Sequence, residues 1–546
     1  MISLKINGEP LDLSSDIAIT MKWSSPIFNT TGDYTYPFKI PATARNLSII
    51  GWKHRIENTA DPYEVFDATL EWNNIFILQG SLKIMKAQAG SYDATLFMNK
   101  GDFYYKRKNL SLQQVDFGEV EFPSEISRLD HMNTSVLKFH PEIDVCFPMI
   151  FDDTYFDPPT ADAQQMFFNP YEVTGGPGFI FTVTASLNRT VIVPMLFLKF
   201  VIRKVFDRIG FTYDDLFFTS HDDYNKLVVY NSVSCNDEPT GFFKYPLEKF
   251  MYNYHVPRLS IYDFFNGLET FFNIRLFVNG KTKHVTIKSL DSVVKSTEYD
   301  DVIKDVLSVS LELEERITGY KMEMTLDSDD PTMDDLKAID ETNLGYIKDS
   351  VPTMAELPLW TGAKDLEIRF VTERNAFYRM VSQAWVEYDI NELVTYLKYY
   401  YKVAQGNNIT TKVSLLSDIG GGSFVDTGNT RDAWEDVPLK LFFLKTAPYE
   451  EGLFTSMRGV SATDNFSLFY NGVNGLFNKH FKSFIDFRIS AKPVKITARL
   501  NYTDLQDIDF SRKYMINGTK YLLSEIQVSI SNAGIKPATI KAYTCN

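Results

Sequence analysis

One helix followed directly by a β-hairpin constrains the fold of this chain more than any other feature of its sequence. Ser260 comes before an apolar stripe at helical spacing, and Asp263 three residues later completes a pair typical of a helix N-terminus. The chain continues as Ile274-Arg-Leu-Phe-Val278, turns at Asn279-Gly280 and returns as His284-Val-Thr-Ile287. Asn-Gly predicts a hairpin because both turn positions need positive φ. The sequence therefore predicts an α+β unit in which a helix covers one face of a sheet.

Strand patterns dominate the two ends of the chain. Residues Val65–Trp72 alternate between apolar and polar, Asn73-Asn74 predicts a tight turn, and Ile75–Ile84 returns. Within the returning strand, Gly80 predicts a bulge where a curved sheet bends. Near the other end, Tyr514–Leu523 predicts a second hairpin that turns at its own Asn-Gly pair. Short strands joined by tight turns are typical of small barrels and sandwiches.

A further amphipathic helix precedes the helix–hairpin unit. Pro194 suits a first helical turn, an apolar stripe runs from Met195 to Ile209, and Gly210 predicts the end of the helix. We therefore predict an α+β, β-rich, multidomain fold, built of small β-barrels with inserted helix-plus-hairpin units. The predicted segments are an N-terminal β-barrel or sandwich domain (1–120), a loop-rich connecting region (121–190), an α+β domain with two amphipathic helices and a β-hairpin (191–325), a mixed insertion or second β domain (326–450) and a C-terminal β domain (451–546).

Charge and composition exclude several classes of protein. The net charge of −15 lacks the basic excess that phosphate binding requires, so sequence-specific nucleic acid is not an expected partner. The most apolar segment, 191–209, is interrupted by charged residues and cannot span a bilayer. The opening residues 1–10 lack the pattern of a signal peptide, and Cys146, Cys235 and Cys545 are too far apart for a disulfide framework. We expect a chain that is made in a reducing cytoplasm.

Motifs for catalysis and metal binding are weak. Gly280-Lys281-Thr282 matches the last residues of a phosphate-binding loop, but Arg275 stands where that loop needs glycine. Acidic clusters offer oxygen atoms to Ca²⁺ without the glycine and glutamate of a helix-loop-helix site, and no two histidines have the i,i+3 or i,i+4 spacing of a helical metal site. These acidic and histidine positions are Asp152, Asp153, Asp157, Asp300, Asp301, Asp327, Asp329, Asp330, Asp334, His54, His131, His140, His221, His255, His284 and His480. The sequence therefore predicts no catalytic, cofactor-binding or metal-binding residues, no cofactor and no enzymatic activity.

Three features leave alternatives open. The aromatic run Tyr396–Tyr401 could stack on sugars or bases, although a packed core or a subunit interface is the simpler interpretation. His221-Asp222-Asp223 could orient an imidazole, although an exposed turn is simpler. Paired carboxylates for glycoside cleavage have no fixed sequence spacing, so a polysaccharide hydrolase stays open as an alternative.

A set of short motifs is spread along nearly the whole chain. They are Ile6-Asn7-Gly8, Ser25–Phe28, Tyr34–Asn46, Phe206–Tyr213, Leu227–Asn231, Phe272–Phe277, Tyr470–Phe477, Asp507–Arg512, Ile516–Gly518 and Tyr521–Leu523. Together they resemble a group of tail proteins encoded by phages and prophages of Bacteroidota. The resemblance implies a hub-like or tip-proximal tail component, in which small β-barrels with inserted α/β parts build a ring, usually a trimer. None of the motifs is a catalytic signature, so the resemblance implies no functional residues.

The resemblance also implies a role and partners. The expected function is that of a structural subunit in the hub or baseplate ring that connects a bacteriophage tail tube to the distal tip. Expected partners are further copies of the chain in a cyclic homo-oligomer, with a trimer favoured, and other tail proteins of the tube, tip and fibres. The expected location is the virion, after assembly in the host bacterial cytoplasm and without membrane insertion. The alternatives are a receptor- or glycan-binding tail-tip protein and a tail-associated cell-wall or polysaccharide hydrolase.

Overall fold

The structure is a computed structural model, and its regular elements are mostly strands with a smaller share of helices. This confirms the predicted α+β, β-rich class. The residues that it describes are 2–29, 32–57, 61, 63–73, 75–121, 130–132, 134–135, 138–148, 150–151, 167–169, 172–174, 178–180, 193–229, 249–312, 401–402, 441–449, 452–458, 466, 468 and 473–545.

Strands and helices are numbered in chain order. The strands are β1 (Ile2–Ile6), β2 (Glu9–Pro10), β3 (Ala18–Ser24), β4 (Asp33–Thr35), β5 (Phe38–Pro41), β6 (Val65–Trp72), β7 (Ile75–Ala87), β8 (Ser91–Met98), β9 (Glu119–Glu121), β10 (Val145–Cys146), β11 (Ile150–Phe151), β12 (Phe167–Phe168), β13 (Glu172–Thr174), β14 (Gly178–Ile180), β15 (Met195–Phe197), β16 (Thr212–Asp215), β17 (Leu227–Val229), β18 (Lys249–Met251), β19 (Ile274–Asn279), β20 (His284–Ser289), β21 (Tyr299–Asp300), β22 (Asp305–Leu311), β23 (Tyr401–Lys402), β24 (Leu441–Tyr449), β25 (Gly452–Arg458), β26 (Pro493–Arg499), β27 (Lys513–Ile516), β28 (Thr519–Ser531), β29 (Gly534–Ile535) and β30 (Ala538–Cys545). The α-helices are α1 (Ala44–Ile50), α2 (Asn99–Arg107), α3 (Leu198–Ile209), α4 (Ile261–Phe272), α5 (Leu290–Lys295), α6 (Lys482–Ser490) and α7 (Tyr502–Asp507).

Both ends of the chain contribute to one large sheet. Its main path has the order β2-β1-β6-β7-β8-β4-β3-β28-β30-β26-β22. The two halves meet where β3 pairs antiparallel with β28, from Ser24 opposite Glu525 to Ala18 opposite Ser531. Apolar residues on alternate positions of these strands bury one shared core. The predicted segments 1–120 and 451–546 thus share a sheet and a core, and the division of the chain into five segments remains a prediction.

A second core surrounds the helix–hairpin unit. As predicted, α4 is followed by the antiparallel pair β19 and β20, and the Ser260 hydroxyl accepts the Asp263 N–H at 3.0 Å as its N-cap. Parallel pairing of β16 with β20 extends the hairpin to a three-stranded sheet. The buried faces of α3 and α4 pack in the same apolar cluster as this sheet, so the predicted cover of a sheet by a helix is confirmed.

The turn of this hairpin differs from the prediction. Pairing continues to Asn279, which leaves residues 280–283 as the loop in place of a two-residue turn. Positive φ falls on Lys283, and the Asn279 side chain accepts the Lys281 N–H at 3.1 Å. A longer loop no longer needs positive φ at an Asn-Gly pair. At the predicted second hairpin, Asn517-Gly518 does take positive φ at both positions.

Helix α3 begins later than predicted. Pro194 precedes the short strand β15, and the helix starts at Leu198. Strand β15 is fully buried between β10 and β17, so its ladder hydrogen bonds outweigh the helical spacing of its side chains. The other end is as predicted, because Gly210 takes a φ of 68° and its N–H bonds back to the last turn.

Strand β7 has its bulges on either side of Gly80, not at Gly80 as predicted. The register against β6 skips Ile77, and the register against β8 skips Met85. Gly80 is needed for a different reason, since a Cβ there would lie 1.8 Å from the carbonyl oxygen of Phe97 in β8. Glycine lets the two backbones approach closely.

We expect Gly80→Ala to lower the free energy of unfolding by about 1–3 kcal/mol, because the added methyl group must push β7 and β8 apart. Gly90→Ala is a matched control, since its Cβ would meet no atom within 4 Å. The control should change stability by no more than about 0.5 kcal/mol. Urea unfolding followed by circular dichroism compares the two variants. Equal stability of both would contradict the conclusion that the close approach of β7 and β8 requires glycine at position 80.

Candidate functional site

Buried charged side chains meet where the N-terminal strands, α2 and the helix–hairpin unit come together. We name this cluster the buried junction, and it consists of Asp33, Lys100, Tyr104, Glu269 and Arg275, each of which is buried. Charged residues are rarely buried unless they are paired. The junction therefore brings several buried charged side chains together inside the protein.

Two glycines allow α2 to approach the N-terminal strands. A Cβ on Gly101 would lie 2.5 Å from the Asp33 carbonyl oxygen, and a Cβ on Gly32 would lie 2.5 Å from the Gly101 nitrogen. Backbones this close leave no room for a side chain, so only glycine fits either position. The approach carries Lys100 into the interior, where its side chain is 4% exposed.

Glu269 is the main hydrogen-bond acceptor of the junction. Its carboxylate accepts bonds from Lys100 Nζ at 2.8 and 3.1 Å and from the Tyr104 hydroxyl at 3.1 Å. It also accepts the Leu276 N–H at 2.7 Å. Taking each charge out of water costs several kcal/mol, and such additional bonds offset that cost. One carboxylate therefore ties α4, β19 and α2 together.

Arg275 links the same hairpin to the loop after β3. Its Nε donates to the Pro26 carbonyl at 2.9 Å, and one terminal nitrogen donates to the carbonyls of Glu269 at 3.1 Å and Ile274 at 2.7 Å. Burial lowers the pKa of both Arg275 and Lys100, while the Glu269 carboxylate raises it in both cases. Lys100 therefore bonds directly to the Glu269 carboxylate, whereas Arg275 interacts with that carboxylate through its charge and bonds to backbone carbonyls.

Asp33 lies at the edge of the junction and has its own hydrogen bonds. Its Oδ1 accepts the Ser24 N–H at 2.7 Å, and its Oδ2 accepts Asn99 Nδ2 at 2.8 Å. Asn99 Oδ1 in turn accepts the Gly280 N–H at 3.0 Å, which connects Asp33 to the hairpin loop. Burial raises the pKa of Asp33 to about 6, and these hydrogen bonds and the Lys100 charge lower it only in part.

We expect Asp33 to make the protein less stable as pH rises between about pH 4 and about pH 8. Its pKa of about 6 lies above the ordinary value of 3.8, so the folded protein binds this proton more tightly than the unfolded chain does. That stabilisation is fully present below the unfolded pKa and is lost as pH rises through about 6, roughly 2–3 kcal/mol in all. Asp33→Asn cannot titrate, so its unfolding free energy should have a flatter pH profile. Parallel profiles for the two proteins in urea unfolding would contradict this.

An open cleft of about 450 Å³ lies beside the junction, between the end of β3, β7, the hairpin and the segment 502–510. Trp23, Phe76 and Tyr502 are half-buried residues of its lining, and Ser24 and Asp33 are buried ones. The volume is in the range of small-molecule sites.

No protein-family model matches the chain, and no curated protein matches it. Among solved structures, the chain is similar to a 43 kDa tail protein of prophage MuSo2 from Shewanella oneidensis. That likeness has 8% sequence identity, covers 99% of this chain and 96% of the other, and has a TM-score of 0.32. Similarity at this level supports no argument about function.

The candidate residues from the sequence do not come together in one site. Lys281 lies in the hairpin loop and donates to Gln506 at 3.3 Å, and a strand follows it where a phosphate-binding loop needs a helix N-terminus. Asp300 pairs with Arg512 at 3.1 Å. Burial raises the pKa of the Cys146 thiol, which keeps it protonated at neutral pH. The candidates outside the described residues are Asp152, Asp153, Asp157, Cys235, Asp327, Asp329, Asp330, Asp334 and the run Tyr396–Tyr401 apart from the backbone of Tyr401 in β23.

Two histidines have informative surroundings. His480 contacts the ring of Phe217 edge to face in the core, and burial lowers its pKa to about 4, so it stays neutral at physiological pH. His284 lies 2.9 Å from Thr212 Oγ1 and 3.2 Å from Asp214 Oδ2. The Asp214 side chain is 66% exposed, however, and a nucleophile–histidine–aspartate triad depends on a buried carboxylate. This trio is therefore a surface contact between β16 and β20.

In the part of the chain that the structure describes, no group of three or more His, Cys, Asp or Glu side chains is placed to hold a metal ion. No helix within the same residues is both long enough and apolar enough to cross a membrane.

Sequence reasoning missed the buried junction. Glu269 follows Leu268 in a helix whose core-facing side is apolar, and Arg275 interrupts the apolar strand β19. A charge inside an apolar run was the available signal, because such a charge needs a buried partner. Asp33 and Lys100 lie in polar sequence surroundings and give no local signal.

Proposed function

We propose that this chain is a non-enzymatic structural subunit of a bacteriophage tail, in the hub or baseplate ring between the tail tube and the distal tip. In this proposal its partners are sister copies in a cyclic homo-oligomer, with a trimer favoured, and the neighbouring tail proteins. It acts in the virion after assembly in the host cytoplasm. The tail assignment rests on the motifs that resemble tail proteins, and the role as a ring subunit rests on one edge of the large sheet.

Among the described residues, strand β22 ends the large sheet, and apolar side chains on one of its faces are exposed. Val309 pairs with Ile496 and Leu311 with Val494, and both partners in β26 are buried in the core. Paired residues of a ladder share one face of the sheet, so Val309 and Leu311 continue the core face. They are nevertheless 41% and 58% exposed.

The outer edge of β22 is the second feature that favours a contact with another chain. Among the described residues, no strand pairs with that edge. An exposed apolar edge strand promotes association, and proteins normally cover or block it. A ring that repeats one contact covers this edge in every copy and leaves none open, which favours a sister copy as the cover.

The tail assignment is tested in particles from a phage or induced prophage that encodes this chain. We expect mass spectrometry of purified particles to detect the chain, and micrographs of particles decorated with an antibody against it to show label at the tail tip. A chain that is expressed in the host but absent from intact particles would overturn the proposal. Release of sugar or peptide fragments from host cell walls by the purified chain would favour the hydrolase alternative.

A further inference from the structure

We propose that the cleft beside the buried junction binds an extended segment of a different protein, which pairs as a β-strand with free edges of β7 and β19. The segment is apolar at alternate positions and carries both an acidic and a basic residue. Addition of a strand to a free sheet edge is a recurring mode of peptide recognition, in which main-chain hydrogen bonds give the affinity. This site is separate from the proposed ring contact, because β22 does not line the cleft.

The first residues of β7 present a free edge to the cleft. The Asn7 N–H donates to the Asp67 carbonyl at 2.8 Å, so Asp67 and, two residues further, Thr69 direct their backbone groups toward β1. Gln79 lies opposite Thr69, and its own N–H and C=O therefore point away from β6. On that side the pairing of β7 with β8 begins only at Gly80. Gln79 lines the cleft and thus offers it one backbone donor and one backbone acceptor.

Strand β19 presents a second free edge to the same cleft. The Leu276 N–H donates to the Glu269 carboxylate at 2.7 Å, so this residue and its alternate neighbours in β19 direct their backbone groups away from β20. Val278 is the next residue of that set, and it lines the cleft. Among the described residues, no strand pairs with β19 on the side away from β20. Two strand edges therefore face one space, in which an added strand can complete their hydrogen bonds.

Half-buried aromatic rings form much of the apolar lining. Trp23 comes from β3, Phe76 from β7 and Tyr502 from α7, and Phe277 of the hairpin adds a further ring. Successive side chains of an extended segment point to opposite sides. Apolar residues at alternate positions of the segment can therefore pack against these rings, and such contacts give specificity in this mode of binding.

The charges of the lining favour a segment that carries both signs. The Lys281 ammonium bonds to the uncharged Gln506 side chain at 3.3 Å, and Asp507 is an exposed residue. His284 and Asp509, which also line the cleft, already contact charged partners at 3.2 and 3.5 Å. An acidic and a basic residue of the segment complement Lys281 and Asp507, whereas a segment of one sign is repelled by one of them.

Hydrogen bonds hold the walls of the cleft in place before a ligand enters. Gln506 Nε2 of α7 donates to the Phe76 carbonyl of β7 at 2.6 Å, and Asn99 Oδ1 accepts the Gly280 N–H of the hairpin loop at 3.0 Å. A cleft that is already formed loses little freedom when a ligand binds.

The test uses the full chain and two capped synthetic pentapeptides, acetyl-Glu-Val-Thr-Val-Lys-amide and its reverse, acetyl-Lys-Val-Thr-Val-Glu-amide. Both alternate apolar and polar residues and carry both charges, and together they cover the two strand directions. Titration by saturation-transfer NMR measures binding, and we expect a Kd of about 1 mM or below for at least one of them. The same peptide with N-methyl groups on its three central residues cannot donate from its central backbone. It should bind at least about tenfold more weakly.

Two variants of one residue test the edge of β7. Gln79→Pro removes the N–H that faces the cleft and keeps the ladder to β6, to which that N–H does not contribute. It should weaken binding at least about tenfold, which corresponds to ~1.4 kcal/mol. Gln79→Ala is the matched control, because it removes the side chain and keeps the N–H, and it should bind like the parent protein. Both variants must keep the thermal unfolding midpoint of the parent.

Weaker binding after N-methylation and in Gln79→Pro, with unchanged binding in Gln79→Ala, supports the proposal. The N-methylated peptide is compared on the parent protein, so this result decides even where Gln79→Pro fails to fold. Absence of saturable binding of both pentapeptides overturns the proposal, and equal binding of the methylated and unmethylated peptides overturns the strand pairing. Binding that disappears as the chain associates with itself would assign the cleft to a sister copy and overturn the separate protein partner.

Discussion

Glu269→Ala is expected to lower the free energy of unfolding by about 3–5 kcal/mol, because it leaves buried charge without a partner. The Lys100 ammonium loses two short bonds, and the Tyr104 hydroxyl and the Leu276 N–H each lose their acceptor. Denaturant unfolding followed by circular dichroism, together with the thermal midpoint, measures the loss. The junction ties the N-terminal strands to the helix–hairpin unit, so both parts should unfold more easily.

Two further variants are compared with Glu269→Ala to test whether the loss of stability comes from a stranded buried charge. Glu71→Ala removes the partially exposed pair with Lys5, which is 2.7 Å long, and should cost no more than about 1 kcal/mol. Adding Lys100→Met to Glu269→Ala removes the stranded charge, so the double variant should recover much of the lost stability. A Glu269→Ala variant as stable as Glu71→Ala would show that the junction does not hold the two parts together.

Val309→Lys is expected to turn the proposed oligomer into a monomer. It places an ammonium group on the apolar face that a sister copy covers, and we expect association at least about a hundredfold weaker, or ~2.7 kcal/mol. The side chain is 41% exposed in the single chain, so the fold itself should tolerate the change. Sedimentation velocity over a range of concentrations measures the shift.

Val473→Lys is the control for this surface, because Val473 is 83% exposed and does not lie in a strand. It adds the same charge without touching β22 and should leave the oligomer intact. If Val309→Lys and Val473→Lys sediment alike as oligomers, β22 is not the contact between copies.

The elements that could be predicted from the sequence are those set by local pattern. Alternation of apolar and polar residues predicts β6, and the Ser260 N-cap with the apolar stripe after it predicts α4. Both signals depend only on residues that are close together in the sequence. Local pattern did not predict the secondary structure of segments in which tertiary contacts determine it. Residues 195–197 have helical spacing but form a buried strand, since two neighbouring strands take up their backbone groups.

The pairing of β3 with β28 could not be predicted, because it joins opposite ends of the chain and no local signal specifies a partner strand. The same holds for the candidate sites. Glu269 and Arg275 interrupt apolar runs, which indicates buried charge but not the Lys100 that balances it. The cleft could not be predicted either, since Trp23, Phe76 and Tyr502 are brought together only by the fold.

The proposed role as a ring subunit is tested most directly by the mass of the full chain in solution. Light scattering at micromolar concentration should give one species at a small whole-number multiple of the 62.7 kDa subunit mass, with three copies favoured. A mass of 62.7 kDa at every concentration, from well-folded protein, would contradict the proposal.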